Sequence, residues 1–432
     1  MLVLLVTVAT AAAQGPEAAA GTPVAAARID PVAGGGAVRD ATAPAPGPAT
    51  DGAVAGVLAD LVEFWRTGAP AALTRRMTPL AGGAVAVDSS AAQLGPGGAP
   101  CIGAPGDIAG NAYYCPSADA IVYDSAGLVP VLLGRYGVAA LAASFGHEYG
   151  HAVQARLGPT AAQRSAQPAR YPGLLVEAQG DCYAGAFLAW VVAGRSAHVH
   201  LPPESLLVAV APLLDFRDAP TVRPDAPTAH GLAIDRLRSA LVGLRRGAAA
   251  CRALNRAALH PALGTAGTVA DGAARFPDAG AALAAGRPGI QALAARWSAA
   301  SGSGSTTGPR PSGAAPTGTT GGSAAGTSVT PDPADLAAAA PLGQFAEAAA
   351  LALAVGRTLP GRDGARASDT LPSCFAGAWT ETVYGHARPG QLGSWAGDVD
   401  EALDLVRSRP GARFADLAAF ADGYDRGLAG CS

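Results

Sequence analysis

Residues 146–158 read GHEYGHAVQARLG. His147 and His151 are four positions apart, so on an α-helix they project from one face, one turn apart, and can hold a single metal ion through their imidazoles. Glu148 stands beside them, close enough to accept a proton from water held by such an ion. The surroundings predict the helix: GRYGVAALAASFGHEYGHAVQAR is alanine-rich and stops at Gly158-Pro159, the usual C-terminal punctuation. With seven histidines and eight glutamates in 432 residues, this spacing arises by chance on the order of a few times in a thousand such compositions. The competing reading, two solvated histidines on an amphipathic helix, leaves the adjacent glutamate unexplained.

A catalytic zinc takes three protein ligands and leaves a fourth position open. A metzincin would need glycine at 154 and histidine at 157; the chain has Gln154 and Leu157, which excludes that class. The remaining source is a second helix, predicted from Leu174 onward in the stretch VEAQGDCYAGAFLAWVVAG. It carries Glu177 and Asp181 four residues apart on one face, among small and apolar neighbours that point the carboxylates inward. Glu177 is then the third ligand, and Asp181 accepts the free ring N–H of a ligand histidine.

Taken together, GHEYGHAVQ, VEAQGDCYAG and the earlier YYCPSADAIVYD resemble the bacterial neutral zinc metallopeptidases, over roughly residues 51–258. The resemblance implies an α+β, mainly helical, zincin-like domain with a small sheet, whose edge strand lies above the active-site helix and holds an extended substrate by strand addition. It carries Zn2+ ligation onto His147, His151 and Glu177, and general base onto Glu148, which returns its proton to the leaving amine of a peptide or protein substrate. Gly180 departs from the alanine usual in the family. For the oxyanion, Tyr113, Tyr114, Tyr123 and Tyr149 are candidates by residue type, with packing the commoner role for each; His198 and His200 read as loop residues after the second helix. The same residues admit two other expectations: a non-catalytic pseudopeptidase that binds peptides or cell-envelope partners, against which an intact Glu148 argues, and a zinc hydrolase of a non-peptide bond.

Composition bounds the rest. All thirty cations are arginine, the net charge is −3, and no basic run occurs, which argues against nucleic acid or an anionic membrane surface as the main partner. The apolar run MLVLLVTVATAAA predicts an export signal at 1–13, although it lacks a positive n-region. Residues 14–50 read as an unstructured lead-in, and order is expected from AGVLADLVEFW, with strands in AGGAVAVD and ADAIVYD. Residues 259–332 read as a linker, Gly/Ser/Thr/Pro-rich from 302.

Across that linker the sequence repeats itself. CYAGAFLAW at 182–190 is echoed by CFAGAW at 374–379, and IDRLRSALVGLRRGAAAC by FADLAAFADGYDRGLAGC. A fainter echo joins the Trp65 segment to GIQALAARWSAASG around Trp297. Six cysteines permit 15 pairings, and export favours disulfides. The echo selects Cys182 with Cys251 and Cys374 with Cys431, leaving Cys101 with Cys115. Aligning GHEYGH with GQFAEA puts Gln344, Phe345 and Ala348 where His147, Glu148 and His151 stand, Asp369 where Glu177 stands and Ser373 where Asp181 stands. Residues 333–432 are therefore expected to be a helical, degenerate copy without a metal site.

Overall fold

The computed structural model describes residues 27–32, 38–42, 48–69, 77–259, 261–263, 275–301, 329–362, 366–384 and 392–431. The apolar run at 1–13 and residues 302–328 of the linker lie outside them. The chain is mainly helical with a small sheet, and it divides into two compact units, Met1–Gly264 and Thr265–Ser432.

The first unit contains strands β1 (Arg28–Ile29), β2 (Val38–Asp40), β3 (Gly83–Val87), β4 (Ala112–Cys115), β5 (Ala120–Asp124) and β6 (Val199–His200). Its helices are α1 (Pro48–Glu63), α2 (Leu128–Val131), α3 (Ala139–Leu157), α4 (Ala161–Ala166), α5 (Gly173–Val192), α6 (Leu206–Asp215), α7 (Ala233–Ala253) and α8 (Arg256–Leu259). The second unit contains α9 (Ala279–Ser301), α10 (Pro333–Ala339), α11 (Gln344–Thr358), α12 (Leu371–Val383), α13 (Ala396–Ser408) and α14 (Phe414–Arg426).

The four-stranded sheet has the order β2-β3-β5-β4. β3 runs parallel to both neighbours, and β4 is antiparallel to β5 with Tyr113 opposite Val122 and Cys115 opposite Ala120. AIVYD in β5 is buried along its whole length, as the inner strand of a covered sheet requires. β4 is an edge strand, and the Cys101–Cys115 disulfide fixes its end. Both strands expected from sequence are present as β3 and β5. The lead-in expectation needs correction: Arg28–Ile29 pairs with β6, and Val38–Asp40 joins the sheet beside β3. Segments this short show no periodicity of their own and are held by their partners.

α3 is bounded by Gly137 and Gly158, both at positive φ, and packs against α5, which starts after Pro172. α5 is buried on nearly every side, between α3 and α7, which explains its lack of a polar face. The Cys182–Cys251 disulfide ties α5 to α7. In the second unit, Cys374–Cys431 ties α12 to the end of the 3₁₀ turn, Gly427–Gly430, that follows α14. All three pairings are those read from the sequence, and no cysteine is free. The linker boundary needs correction as well: α9 belongs to the second unit, where Trp297 is buried and donates its indole N–H to the Pro360 carbonyl at 2.8 Å.

Candidate metal centre

The two alanine-rich helices α3 and α5 approach closely because small residues face each other. Gly146 and Gly150 of α3 lie against Ala184 and Gly180 of α5, where an added Cβ would come within 3.1–3.2 Å of backbone Cα atoms. This contact places the imidazoles of α3 against the carboxylates of α5. His147 Nε2 lies 3.1 Å from Glu177 Oε2 and 3.1 Å from His151 Nε2, and His151 Nε2 lies 3.5 Å from Glu177 Oε2. A tetrahedral ion with bonds of about 2.0–2.1 Å holds its ligand atoms about 3.3–3.4 Å apart. The triangle is thus already the size of one face of such a site, and the three side chains could hold a metal ion.

Hydrogen bonds behind the triangle fix how each ring presents itself. His147 Nδ1 meets Asp181 Oδ1 at 2.7 Å, and a carboxylate only accepts, so that nitrogen carries a proton. His151 Nδ1 meets Gln154 Oε1 at 3.0 Å. The amide of Gln154 cannot be turned round, because its Nε2 donates to the Val176 carbonyl at 2.7 Å and to Gln179 Oε1 at 3.1 Å. Nδ1–H on both rings leaves the two Nε2 atoms facing each other, and two N–H groups cannot share that 3.1 Å line. A cation among them satisfies both lone pairs and the carboxylate at once.

Charge in the innermost layer points the same way. Asp181 is fully buried and paired bidentately with Arg236 of α7, Nε to Oδ2 at 2.9 Å and Nη2 to Oδ1 at 2.7 Å. Glu177 is buried and Glu148 partly so; with neutral imidazoles, three carboxylates against one guanidinium leave two negative charges uncompensated. Burial works against the His147 imidazolium, yet Asp181, then Glu177 and Glu148, outweigh it and push its pKa up to about 10. Burial would raise the Glu177 carboxyl, but His151, His230 and His147 hold it well below its usual range. Burial likewise opposes the Asp181 carboxylate, and Arg236 and His147 overcome it. All three shifts reflect carboxylates paired with positive charge in this layer.

Glu148 is the one carboxylate driven the other way: burial first, and Glu177 as well, raise its pKa against the pull of the two histidines. Its Oε2 accepts the Tyr114 backbone N–H of edge strand β4 at 2.9 Å. That bond joins the sheet to the site helix.

The sequence-predicted set His147, Glu148, His151, Glu177 and Asp181 is brought together. The other candidates are not. Tyr113 donates its hydroxyl to the Pro100 carbonyl and Tyr114 to Asp119 Oδ1; Tyr123 and Tyr149 lie in the core. His200 meets Asp30 on β6 beside β1, and the backbone N–H of His198 is taken by Asp60. Three contributors were missed. Gln154 and Arg236 were visible only as polar residues among several in their helices, and His230 lies in a connecting segment with no motif. His230 Nε2 is 3.6 Å from Glu177 Oε2.

Gly180 gains a reason. A Cβ there would stand 2.9 Å from His147 Cε1 and 3.0 Å from its Nδ1, so the ring lies flat on α5 only because the side chain is missing. Comparison with family models, curated proteins and solved structures found no match to this chain.

Proposed function

We propose that the first unit is a zinc-dependent peptidase and that it works outside the cytoplasm. The observation that carries the reading is the triangle of His147, His151 and Glu177 donor atoms, with a raised-pKa glutamate one residue along the same helix. Nitrogen and carboxylate donors at tetrahedral spacing suit zinc, which supplies a Lewis acid that polarises a carbonyl and acidifies water. Glu148 takes the proton of the attacking water on Oε1 while the β4 N–H steadies Oε2, and delivers it to the leaving amine. A carboxyl whose pKa is raised above its ordinary value is better suited to hold a proton between the two halves of that exchange. Edge strand β4, antiparallel to β5 and touching Glu148, offers backbone groups for an extended peptide. Three disulfides suit an oxidising compartment.

The second unit reads as a degenerate duplicate of the first. Disulfides join equivalent helix pairs in both, and a glycine at the same place in each pair, Gly243 and Gly423, packs onto the carbonyl of the first bonded cysteine, where a Cβ would collide. At the matching positions the site is filled in: Phe345 stacks on Trp379 at 4.9 Å, and Gln344 Oε1 accepts the Arg275 and Phe276 N–H groups.

The test is zinc per chain together with hydrolysis of a broad peptide library by wild type and Glu148→Gln. The expected result is one zinc in each protein, with cleavage lowered about 10²–10⁴-fold by the substitution. A zinc-free wild type, or undiminished cleavage by the variant, overturns the proposal.

A further inference from the structure

We infer that Arg156 and Asp119 are positioning residues for Glu148, acting through Tyr114 to set the height of edge strand β4 over the site helix; the inference rests on the peptidase reading. Tyr114 is the residue on which the two ties meet. Its backbone N–H donates to Glu148 Oε2 at 2.9 Å rather than into the sheet, and its hydroxyl donates to Asp119 Oδ1 at 2.8 Å. Asp119 Oδ2 in turn accepts from Arg156 Nη2 at 2.7 Å. Arg156 stands on α3 two turns beyond Glu148, with Ala152 between them, so the three lie along one stripe of that helix. One helix therefore holds Tyr114 twice, by its amide directly and by its hydroxyl through an ion pair about 12 Å further along the axis.

Both partners in that link are themselves fixed. Asp119 lies in the turn between β4 and β5 at φ +49°, a conformation that aspartate tolerates better than most side chains. Its Oδ2 also accepts the Ala81 N–H at 2.8 Å, and its carbonyl accepts the Gly82 N–H at 3.1 Å, which anchors it to the start of β3. Arg156 Nη1 donates to the Ala152 carbonyl at 3.0 Å, which lays the guanidinium along α3. The two side chains are only 19% and 27% exposed, so water screens the pair less than it screens a surface ion pair. Burial first, and then Asp119, push the pKa of the Tyr114 hydroxyl up to about 12, which keeps it a donor. Within the sheet layer β4 is pinned separately, Cys115 by its disulfide to Cys101 and Tyr113 by its hydroxyl bond to the Pro100 carbonyl. The Tyr114–Asp119–Arg156 chain pins it against α3. The imidazoles of His147 and His151 are held from behind by Asp181 and Gln154, on α5 and α3. Loosening the tether therefore shifts the amide that orients the base and leaves the ligands in place, and a displacement of about 1 Å at a reacting group costs about 10²-fold in rate.

The full-length chain loaded with zinc is compared as wild type, Tyr114→Phe, Arg156→Gln and Arg156→Lys. Three quantities are measured: zinc affinity by chelator competition, kcat and KM on the best-cleaved peptide, and hydrogen exchange of the backbone amide at position 114. Zinc affinity is expected to stay within about threefold in every variant, because the groups behind the ligands are untouched. In Tyr114→Phe, which removes one hydroxyl, and in Arg156→Gln, kcat falls about 10–10²-fold with KM little changed. The amide at position 114 exchanges at least about tenfold faster in both, while the amides of α5 keep their protection. Arg156→Lys, which keeps a cation for Asp119, recovers at least about threefold of the kcat loss. Unchanged kcat or unchanged exchange in Tyr114→Phe overturns the inference, as does a lysine variant no better than the glutamine one. A loss of zinc affinity that matches the loss of kcat overturns it too, since the pair would then be supporting the ligands, and so does a loss carried by KM. Should the wild type hold zinc yet cleave nothing, the peptidase reading falls, and exchange at position 114 alone decides whether the pair positions β4 on Glu148. A chain that binds no zinc refutes both.

Discussion

Asp181→Asn exchanges one oxygen for an amide and should disturb stability and metal binding by separable amounts. Asp181 is fully buried, with three donors converging on its two oxygens: His147 Nδ1 and Arg236 Nη2 on Oδ1, and Arg236 Nε on Oδ2. An asparagine has one accepting oxygen, so its NH₂ faces a guanidinium donor in either orientation, and in one of them the imidazole N–H as well, donor against donor. The guanidinium, itself buried, also loses its counter-charge. Removing one partner of a buried pair costs about 3–5 kcal/mol. At about 2–4 °C per kcal/mol for a unit of this size, the metal-free protein should melt about 6–20 °C lower. Loss of the group behind a ligand histidine should weaken zinc binding about 10–100-fold.

The double variant Asp181→Leu/Arg236→Met separates the two effects. Replacing a whole buried pair by apolar side chains is often neutral or stabilising, offset here by the Phe216 carbonyl, which loses the Arg236 Nη1 donor. Most of the lost stability should therefore return, while zinc affinity stays low because nothing orients His147. Thermal melts of the metal-free chains and zinc competition read both quantities. If the double variant bound zinc as the wild type does, Asp181 would have no orienting role and the account of the site behind His147 would be wrong.

Two more outcomes rest on particular contacts. Gly180→Ala adds up to about 1 kcal/mol of helix propensity but sets a methyl 2.9 Å from the clamped His147 ring. The metal-free chain should be no less stable while zinc affinity drops about tenfold, since a site displaced by a few tenths of an ångström is near the tolerance for metal geometry; chelator competition showing equal or tighter binding refutes this. In the second unit, burial and then Asp398 push the Glu401 pKa up to about 8, even though its carboxylate accepts the Phe345 and Ala346 N–H groups at the start of α11. A carboxyl with a raised folded pKa contributes stability that is fully present below its unfolded value of about 4.5 and lost as pH rises toward 8. Allowing for partial exposure, the loss is on the order of 2–4 kcal/mol. Glu401→Gln, which can still accept those two bonds, should flatten the decline, and hydrogen exchange at α11 with an unchanged pH slope in the variant would count against the argument.

The site was legible because a helix turns a sequence interval into a direction. His147 to His151 and Glu177 to Asp181 are both four-residue spacings, and both pairs face inward. The disulfide pairs were legible because the echoed helices supply two of them. Four features were invisible for physical reasons. Val38–Asp40 and Arg28–Ile29 are strands only by virtue of their partners. Arg236 and His230 reach the centre from α7 and from the segment before it, 85 and 79 residues beyond His151, and no local period encodes such distances. The segment before α11 misled for the opposite reason: glycine and proline around 302–328 suggested a linker that swallowed α9, whose Trp297 is buried.

The two units differ at the positions where the first could hold an ion. At the Asp181 position the second unit has Ser373, whose hydroxyl donates to Asp416 of α14, and Arg409 donates to both Ser373 and Asp416 at 3.1 and 2.9 Å. The acid has crossed to the other helix and found its cation within the same cluster. Gln344, standing for His147, supplies both a donor and an acceptor to Arg275 and Phe276 and leaves no lone pair facing a void. Where Glu148 would stand, an aromatic ring packs on Trp379. Helix pairing, the glycine contact and the disulfide therefore persist without any ligand, so they do not by themselves call for metal. What favours a metal in the first unit is the remainder they do not explain: two imidazole nitrogens and a carboxylate oxygen aimed at one point, in a layer that with neutral imidazoles and ionised carboxylates is two positive charges short. A divalent cation at that point would meet all three donor atoms and supply the missing charge in one step.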